Sequence, residues 1–159
     1  MADARFEDGA ETPLRLAAQD AEDLKVLAAL VQDAVFPITE MRYDRRRRRV
    51  ALLINRFRWE RAARAAVDPE RVQALLVIDD VQGAATRGID LQDRDLVLSL
   101  LDLAFTAGED GTGTLDLVLA GDGGVRLQVE CLDVILRDVT RPYAAPSGRA
   151  PRHDLDGDA

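Results

Sequence analysis

The stretch that decides the fold is residues 114–130, which read TLDLVLAGDGGVRLQVE. Apolar residues alternate with others on both sides of a glycine-rich turn. A period of two is typical of half-buried strands, and the turn predicts that the two strands form an antiparallel hairpin. A loop of 120–124 would place both apolar sets on one face, with the following pairs opposed: Leu119 and Val125, Leu117 and Leu127, Leu115 and Val129.

Extended patterning continues outward from this hairpin. Leu96 to Phe105 carries leucines that suit a helix, but its hairpin distance from 114–120 favours a strand. Gly83 and Gly88 predict a bend or bulge in the segment that contains them. The other segments that we interpret as extended are 38–43, 49–59, 72–79 and 81–89.

Two helices are predicted at the ends of this set of strands. Asp20 to Val35 has helical spacing of its apolar residues, an N-cap in Asp20, and Pro37 as its stop. Near the carboxyl end, the alternation gives way to an i, i+3, i+4, i+7 pattern that predicts a short closing helix before Pro142. The residues in that pattern are Leu132, Ile135, Leu136 and Val139.

The fold class that follows is α+β, with a mostly antiparallel sheet or small barrel, an N-terminal helix and a short C-terminal helix. Parallel crossovers need about a dozen residues between strands, and most of the connections are shorter. A pleckstrin-homology-like arrangement is the architecture we favour by analogy. We expect a flexible segment at 1–11, one globular domain at 12–141, and a mobile Pro- and Gly-rich tail at 142–159.

Charge is unevenly distributed along the chain. Ten of the 21 cationic residues fall within 42–64, whose formal charge is +8, whereas the chain carries −8. Such a surface either faces an anionic partner or balances the acidic remainder of the protein, and both explanations remain open. The candidate binding patch consists of Arg45, Arg46, Arg47, Arg48, Arg49, Arg56 and Arg58.

Aromatic and cationic residues interleave at 55–59, which reads NRFRW. If the strand continues, Phe57 and Trp59 share one face and the two arginines share the other. Aromatic rings beside arginines suit stacked bases or a phosphorylated ligand. The competing interpretation is that the aromatic residues are core and the arginines pair with acids, and on it we expect at least one ring to be mostly buried.

The residue types present in the chain exclude or disfavour several kinds of catalytic, phosphate-binding and metal site. The only histidine, His153, lies in the predicted tail, so a Ser–His or Cys–His pair lacks a rigidly held base. The glycine-rich stretches lack a following Gly-Lys-Ser/Thr and are interpreted as hairpin turns. Cys131 is alone, which excludes a multi-cysteine zinc site, and we expect it to be a small buried group. No catalytic residue, metal or cofactor is predicted.

Three strings resemble a known family: Leu53 to Glu60, Thr86 to Asp90, and Val129 to Leu132. They are similar to an uncharacterised family of short alphaproteobacterial proteins described only as a domain of unknown function. The resemblance covers most of 14–141. It implies a cytoplasmic bacterial protein with one compact domain and no assigned activity.

The leading hypothesis is a non-enzymatic binding module that engages an anionic partner or a protein through the 42–64 surface. A small carboxylate-dependent enzyme is the alternative. Nucleic-acid binding is less favoured, because a sequence pI near 4.7 means that the acidic remainder repels phosphates. Apolar runs fall far short of the about 20 residues that span a bilayer, and the acidic start lacks the apolar segment of a signal peptide, so we expect a cytoplasmic location.

Overall fold

The computed structural model describes residues 13–62 and 70–144. Within these residues eleven strands form one sheet, and one helix of three turns packs against it. The strands are β1 Arg15–Ala18, β2 Ala34–Pro37, β3 Met41–Asp44, β4 Arg49–Phe57, β5 Glu70–Ile78, β6 Val81–Arg87, β7 Val97–Ala107, β8 Gly113–Leu119, β9 Gly124–Val129, β10 Val134–Asp138 and β11 Tyr143–Ala144. The helices are α1 Ala21–Val31 and the single turn α2 Trp59–Ala62, with 3₁₀ turns at Ile38–Glu40 and Glu109–Gly111.

The strands follow the order β1-β10-β5-β4-β2-β7-β8-β9-β6, with β3 added to β4 and β11 added to β5. Every pairing is antiparallel. This confirms the α+β class with a dominant antiparallel sheet. The path starts at β1 and ends at β6, so the sheet is open along it.

The core lies between α1 and the apolar face of the sheet. In β4 the even-numbered residues Val50, Leu52 and Ile54 are buried, and the odd-numbered ones from Arg49 to Asn55 are more exposed, as the pleat requires. The apolar stripe of α1 covers this face with Leu24, Leu27, Ala28 and Val31.

The predicted hairpin is present as β8 and β9, and both apolar sets are buried on one face. Its register, however, was predicted wrongly by two residues. A displacement of two keeps every side chain on its own face, which is why the burial pattern alone did not reveal it. The observed pairs are Leu117 with Val125 and Leu115 with Leu127.

The register differs because the five residues left unpaired between β8 and β9 are 119–123, one residue earlier than the predicted loop of 120–124. Leu119 pairs with Leu100 of β7 instead of with β9. Gly121 and Asp122 both adopt left-handed backbone conformations, with φ of 81° and 65°, and close the loop. The Leu119 N–H donates to the Gly123 carbonyl oxygen at 3.0 Å, so the last pairing with β9 falls one residue earlier.

The N-terminal helix is confirmed, but it ends at Val31 rather than at 35. Its N-cap is as predicted, since the Asp20 carboxylate accepts a hydrogen bond from the Asp23 N–H at 2.8 Å. Asp33 then takes a left-handed conformation with φ of 63°, and its N–H donates to Leu100. This turn reverses the chain, so Val35 belongs to β2, which pairs with β7.

The short C-terminal helix was predicted wrongly, because residues 134–138 form β10 between β1 and β5. Buried and less buried residues alternate there: Val134 and Leu136 are inside, and Ile135 is partly exposed. The helical spacing was coincidental. Two neighbouring strands supply the hydrogen bonds of β10, and adjacent β-branched residues favour an extended chain.

Most of the other segments that were predicted to be extended are strands in the structure, although they begin and end at other residues than predicted. The strand at 96–105 is confirmed as β7, and a bulge occurs between Val81 and Gly83 as predicted. The segment at 38–43 was only partly right, because it starts with a 3₁₀ turn. The segment at 49–59 ends as a strand at Phe57, and Trp59 begins α2.

The predicted flexible start at 1–11 lies outside the described residues, and so does the tail from 145 onward, with His153. Tyr143 and Ala144, near the start of that predicted tail, pair with Arg71 and Glu70 of β5 as β11. The domain boundaries stay predictions.

Candidate functional site

The consecutive arginines form the turn that joins β3 to β4, and we name Arg45–Arg49 the arginine turn. Asp44 pairs with Arg49 at its base, and the Asp44 carboxylate accepts a hydrogen bond from the Arg47 N–H at 3.2 Å. Arg48 adopts a left-handed conformation with φ of 56°. Asp at the first position is typical of such turns, so one acidic residue shapes a turn made otherwise of cations.

Two arginines of the turn are tied to acids of the protein. The Arg48 guanidinium lies 2.6 Å from a Glu130 carboxylate oxygen, and the Arg49 Nε lies 2.7 Å from Asp79. The hydrogen bond and negative charge of Asp79 raise the pKa of Arg49. These two side chains therefore fit the explanation that the arginines balance the protein's own acidic residues.

The other three arginines are exposed to solvent. Arg47 has only a distant contact with Asp44, at 3.8 Å. The Arg45 guanidinium carbon lies 5.6 Å from the centre of the Tyr43 ring, within the range of a cation–π interaction. Arg46 makes no ion pair or hydrogen bond with the described residues. Among the residues that the structure describes, no acid thus pairs with Arg45 or Arg46, and Arg47 is only loosely paired with Asp44.

A shallow cleft of about 380 Å³ opens beside the arginine turn. It is lined by Tyr43, Arg45, Arg48, Val81 and Gln82. The Val81 N–H donates to the Arg48 carbonyl oxygen at 2.8 Å, and this bond fixes the turn against the start of β6. Two guanidinium groups, a phenol ring and an amide offer donors and an aromatic face to a carboxylate or phosphate ligand.

Arg56 does not join this surface, because its side chain is 0% exposed. It lies seven residues along β4 from Arg49, which is about 23 Å at the rise of a strand. Its guanidinium donates to both Asp138 oxygens at 3.0 Å and to the Glu60 oxygens at 2.9 and 2.7 Å. Burial alone would lower the pKa of Arg56, but the hydrogen bonds that it donates to Glu60 and Asp138 raise it.

Arg58, Phe57 and Trp59 of the interleaved segment also pack against other residues of the protein. Arg58 is 7% exposed and pairs with Glu70 at 3.3 Å. Phe57 is 2% exposed, which confirms that at least one ring is mostly buried. Trp59 packs edge-on against it with ring centroids 4.7 Å apart, and its indole N–H donates to the Gln32 carbonyl oxygen. The segment is therefore core and ion pairs, and it offers no open stacking platform.

Asp79, Asp80 and Asp133 form an acidic cluster near the arginine turn, and the sequence did not predict that these three residues come together. Cys131 is exposed, contrary to our expectation of a buried residue, and its thiol donates to an Asp80 oxygen at 3.1 Å. This hydrogen bond, together with burial and the nearby carboxylates, raises the pKa of Cys131 to about 11. Burial and the charges of Asp79 and Asp80 raise the pKa of Asp133. A thiol with a raised pKa is a poor nucleophile at neutral pH.

No group of His, Cys, Asp or Glu side chains in the described part of the chain has the arrangement of a metal site. Within the same residues, no helix is long and apolar enough to cross a membrane.

A family model described as "Protein of unknown function (DUF2948)" matches residues 14–153. No curated protein and no solved structure matches the chain.

Proposed function

We propose that this chain, which belongs to the DUF2948 family of proteins of unknown function, is a non-enzymatic module that binds an anionic partner through the arginine turn. The family carries no assigned activity, so the proposal rests on the site. One observation carries it. Arg45, Arg46 and Arg47 are exposed with little or no neutralisation beside a cleft, although the chain has an excess of acidic residues.

The arrangement of the turn supports a partner over a purely balancing role. If the arginines served only to neutralise the protein's own acids, each would be expected to lie against a carboxylate. Arg48 and Arg49 do so and hold the turn in place, while the outer three project from it. Cations fixed on a rigid turn can attract an anion over about one Debye length, roughly 8 Å at physiological salt.

The alternatives receive less support. Nucleic-acid binding is less supported because the predicted aromatic platform for stacking bases is not open: Phe57 is buried and Trp59 packs against it. A carboxylate enzyme would need paired acids in a cleft, and Asp138, the most buried carboxylate among the described residues, is held by Arg56. Neither a pleckstrin-homology-like arrangement nor a cytoplasmic location is required by the proposal. Arg56 and Arg58 belong to it only as supports of β4.

The test uses fluorescence anisotropy of a labelled poly-glutamate peptide titrated with the protein at low salt. We expect saturable binding by the wild type, and strong weakening by Arg45→Glu with Arg46→Glu. The matched control is Arg94→Glu with Arg137→Glu, which makes the same change of net charge at two other exposed positions. This control should keep most of the affinity.

Two outcomes would contradict the proposal. One is that the wild type does not bind the peptide, and the other is that the arginine-turn variant and the control variant lose the same amount of affinity. Titration with a labelled single-stranded DNA distinguishes the remaining alternative. Tighter binding of the DNA than of the peptide, lost in the arginine-turn variant, would favour nucleic acid as the partner. Circular dichroism of every variant checks that the fold is intact.

A further inference from the structure

The strand β6 lies at one end of the sheet. It pairs with β9 along one edge, and no strand within residues 13–62 and 70–144 pairs with its other edge. From Gln82 to Arg87 the strand is exposed apart from Gly83, which is partly exposed. Its backbone therefore offers hydrogen-bonding groups to a further strand.

Edge strands usually carry features that prevent such pairing: charges, prolines or bulges. In β6 these features are confined to the ends, with a bulge between Val81 and Gly83 and a charge at Arg87. The stretch between them is small and uncharged. Gly83 has no neighbour within 4 Å of the position a Cβ would occupy, so packing does not explain its lack of a side chain. A glycine in an exposed strand is suited to close approach by another backbone.

The start of this open edge coincides with the candidate site. Val81 and Gln82, the first two residues of β6, also line the cleft beside the arginine turn. The lining of that cleft also includes Tyr43 of β3. A chain extended along β6 would therefore enter the cleft at one end and pass Arg87 at the other.

We propose that β6 binds an extended acidic peptide by strand addition, with an acidic side chain of that peptide seated beside Arg45 in the cleft. The inference rests on the proposed function, because it names the partner of the same arginine turn. Main-chain hydrogen bonds to β6 provide affinity in this mode, and the arginine cleft selects an acidic residue.

Charge favours an acidic peptide over a second copy of the chain. Two copies of β6 paired antiparallel would place the arginine turn of each beside Arg87 of the other, which brings like charges together. A separate acidic segment meets cations at both ends of the strand.

The first test changes the ligand and leaves the protein intact. The probe is a labelled peptide of alternating threonine and glutamate, compared with two versions that are N-methylated at alternate residues in the two possible frames. N-methylation removes main-chain donors without altering charge. We expect at least one frame to lose about tenfold or more in affinity, since several hydrogen bonds are lost together. Hydrogen exchange of the Gln82–Arg87 amides should slow when the parent peptide binds.

The second test uses Gly83, where the open space should accept a side chain without damage to the fold. Gly83→Glu should weaken binding of the parent peptide several-fold by repulsion, and Gly83→Arg should not. Equal affinities of the two variants would contradict passage of the acidic chain beside Gly83.

The two proposals fail in distinguishable ways. If both N-methylated peptides bind as the parent does and still require Arg45 and Arg46, strand addition is wrong and the anion-binding surface stands. If N-methylation matters but Arg45→Glu with Arg46→Glu has no effect, the edge binds a strand and the arginine turn is not its selector. Concentration-dependent dimerisation, in sedimentation, that slows exchange of the same amides would assign the edge to a second copy.

Discussion

At the scale of single residues, the least expected feature is that Arg56 is buried. Val50, Leu52 and Ile54 set a period of two, and Arg56 continues it on the core face. Its partner Asp138 lies 82 residues away in sequence, so the pairing could not be found from local pattern. The sequence did contain one indication of this burial. Arg56 occupies the next position of the apolar alternation, and Glu60, an acid that could pair with it, follows four residues later.

Replacing Arg56 with alanine should destabilise the protein by about 3–5 kcal/mol, because the carboxylate of Asp138 would stay buried without its partner. The free energy of unfolding in urea measures this effect. Arg94→Ala, at an exposed position, is the control and should stay within about 0.5 kcal/mol of the wild type. If Arg56→Ala loses as little stability as Arg94→Ala, the cluster of Arg56, Glu60 and Asp138 is not a structural support.

The same cluster predicts a pH dependence through Glu60. Burial alone would raise the pKa of Glu60, but the hydrogen bonds and charge of Arg56 outweigh it and lower that pKa. A lowered folded-state pKa adds stability above the ordinary pKa of glutamate, and this stability is lost as the pH falls through the lowered value. Between pH 7 and 3, wild-type stability should therefore fall more than that of Glu60→Gln. Glu22→Gln, an exposed control, should follow the wild type.

The thiol of Cys131 gives a chemical prediction. With its pKa raised to about 11, it should react slowly with iodoacetamide at pH 8 despite its exposure. Asp80→Asn removes the charge that accepts the thiol hydrogen bond and should accelerate alkylation at pH 8. The rate is followed by mass spectrometry against pH. A wild-type rate that reaches its plateau below pH 9 would contradict this prediction.

At the scale of elements, strands and helices could be predicted where the period and the turn residues agreed. The cap at Asp20 and the alternation of the 114–130 hairpin were sufficient to place α1 and the pair β8–β9. The hairpin register was predicted wrongly because its turn lies one residue earlier than the sequence suggested. The strand β10 was predicted wrongly because it receives its hydrogen bonds from the distant strands β1 and β5. The outward half of the arginine turn could be anticipated, but its cleft requires β6.

A pair of valines tests whether 134–138 is a strand. Val134 is buried and Val139 is 44% exposed, whereas the helical pattern would have buried Val139. Val134→Ala should cost about 2 kcal/mol of stability, and Val139→Ala clearly less. Thermal or urea unfolding measures both, and the reverse order would support a helix.

At the scale of the whole molecule, charge is divided between two roles. The 42–64 window carries a formal charge of +8, and the rest of the chain carries −16. Part of the window is neutralised internally, with Arg48, Arg49, Arg56 and Arg58 each against an acid. Of the other arginines of the window whose side chains the structure describes, Arg45, Arg46 and Arg47 lie exposed at one turn, and Arg42 lies exposed on β3. The sequence could locate the charge, but only the fold separates the neutralised arginines from the projecting ones.

The most direct test of the anion-binding surface is the salt dependence of its affinity for the poly-glutamate peptide, measured by calorimetry. The wild type should lose affinity steeply as salt rises, because exposed charges are screened. Arg94→Glu with Arg137→Glu should keep nearly the same slope, and Arg45→Glu with Arg46→Glu should show weak binding and a shallow slope. Slopes that are equal in all three proteins would contradict a role for the arginine turn in binding.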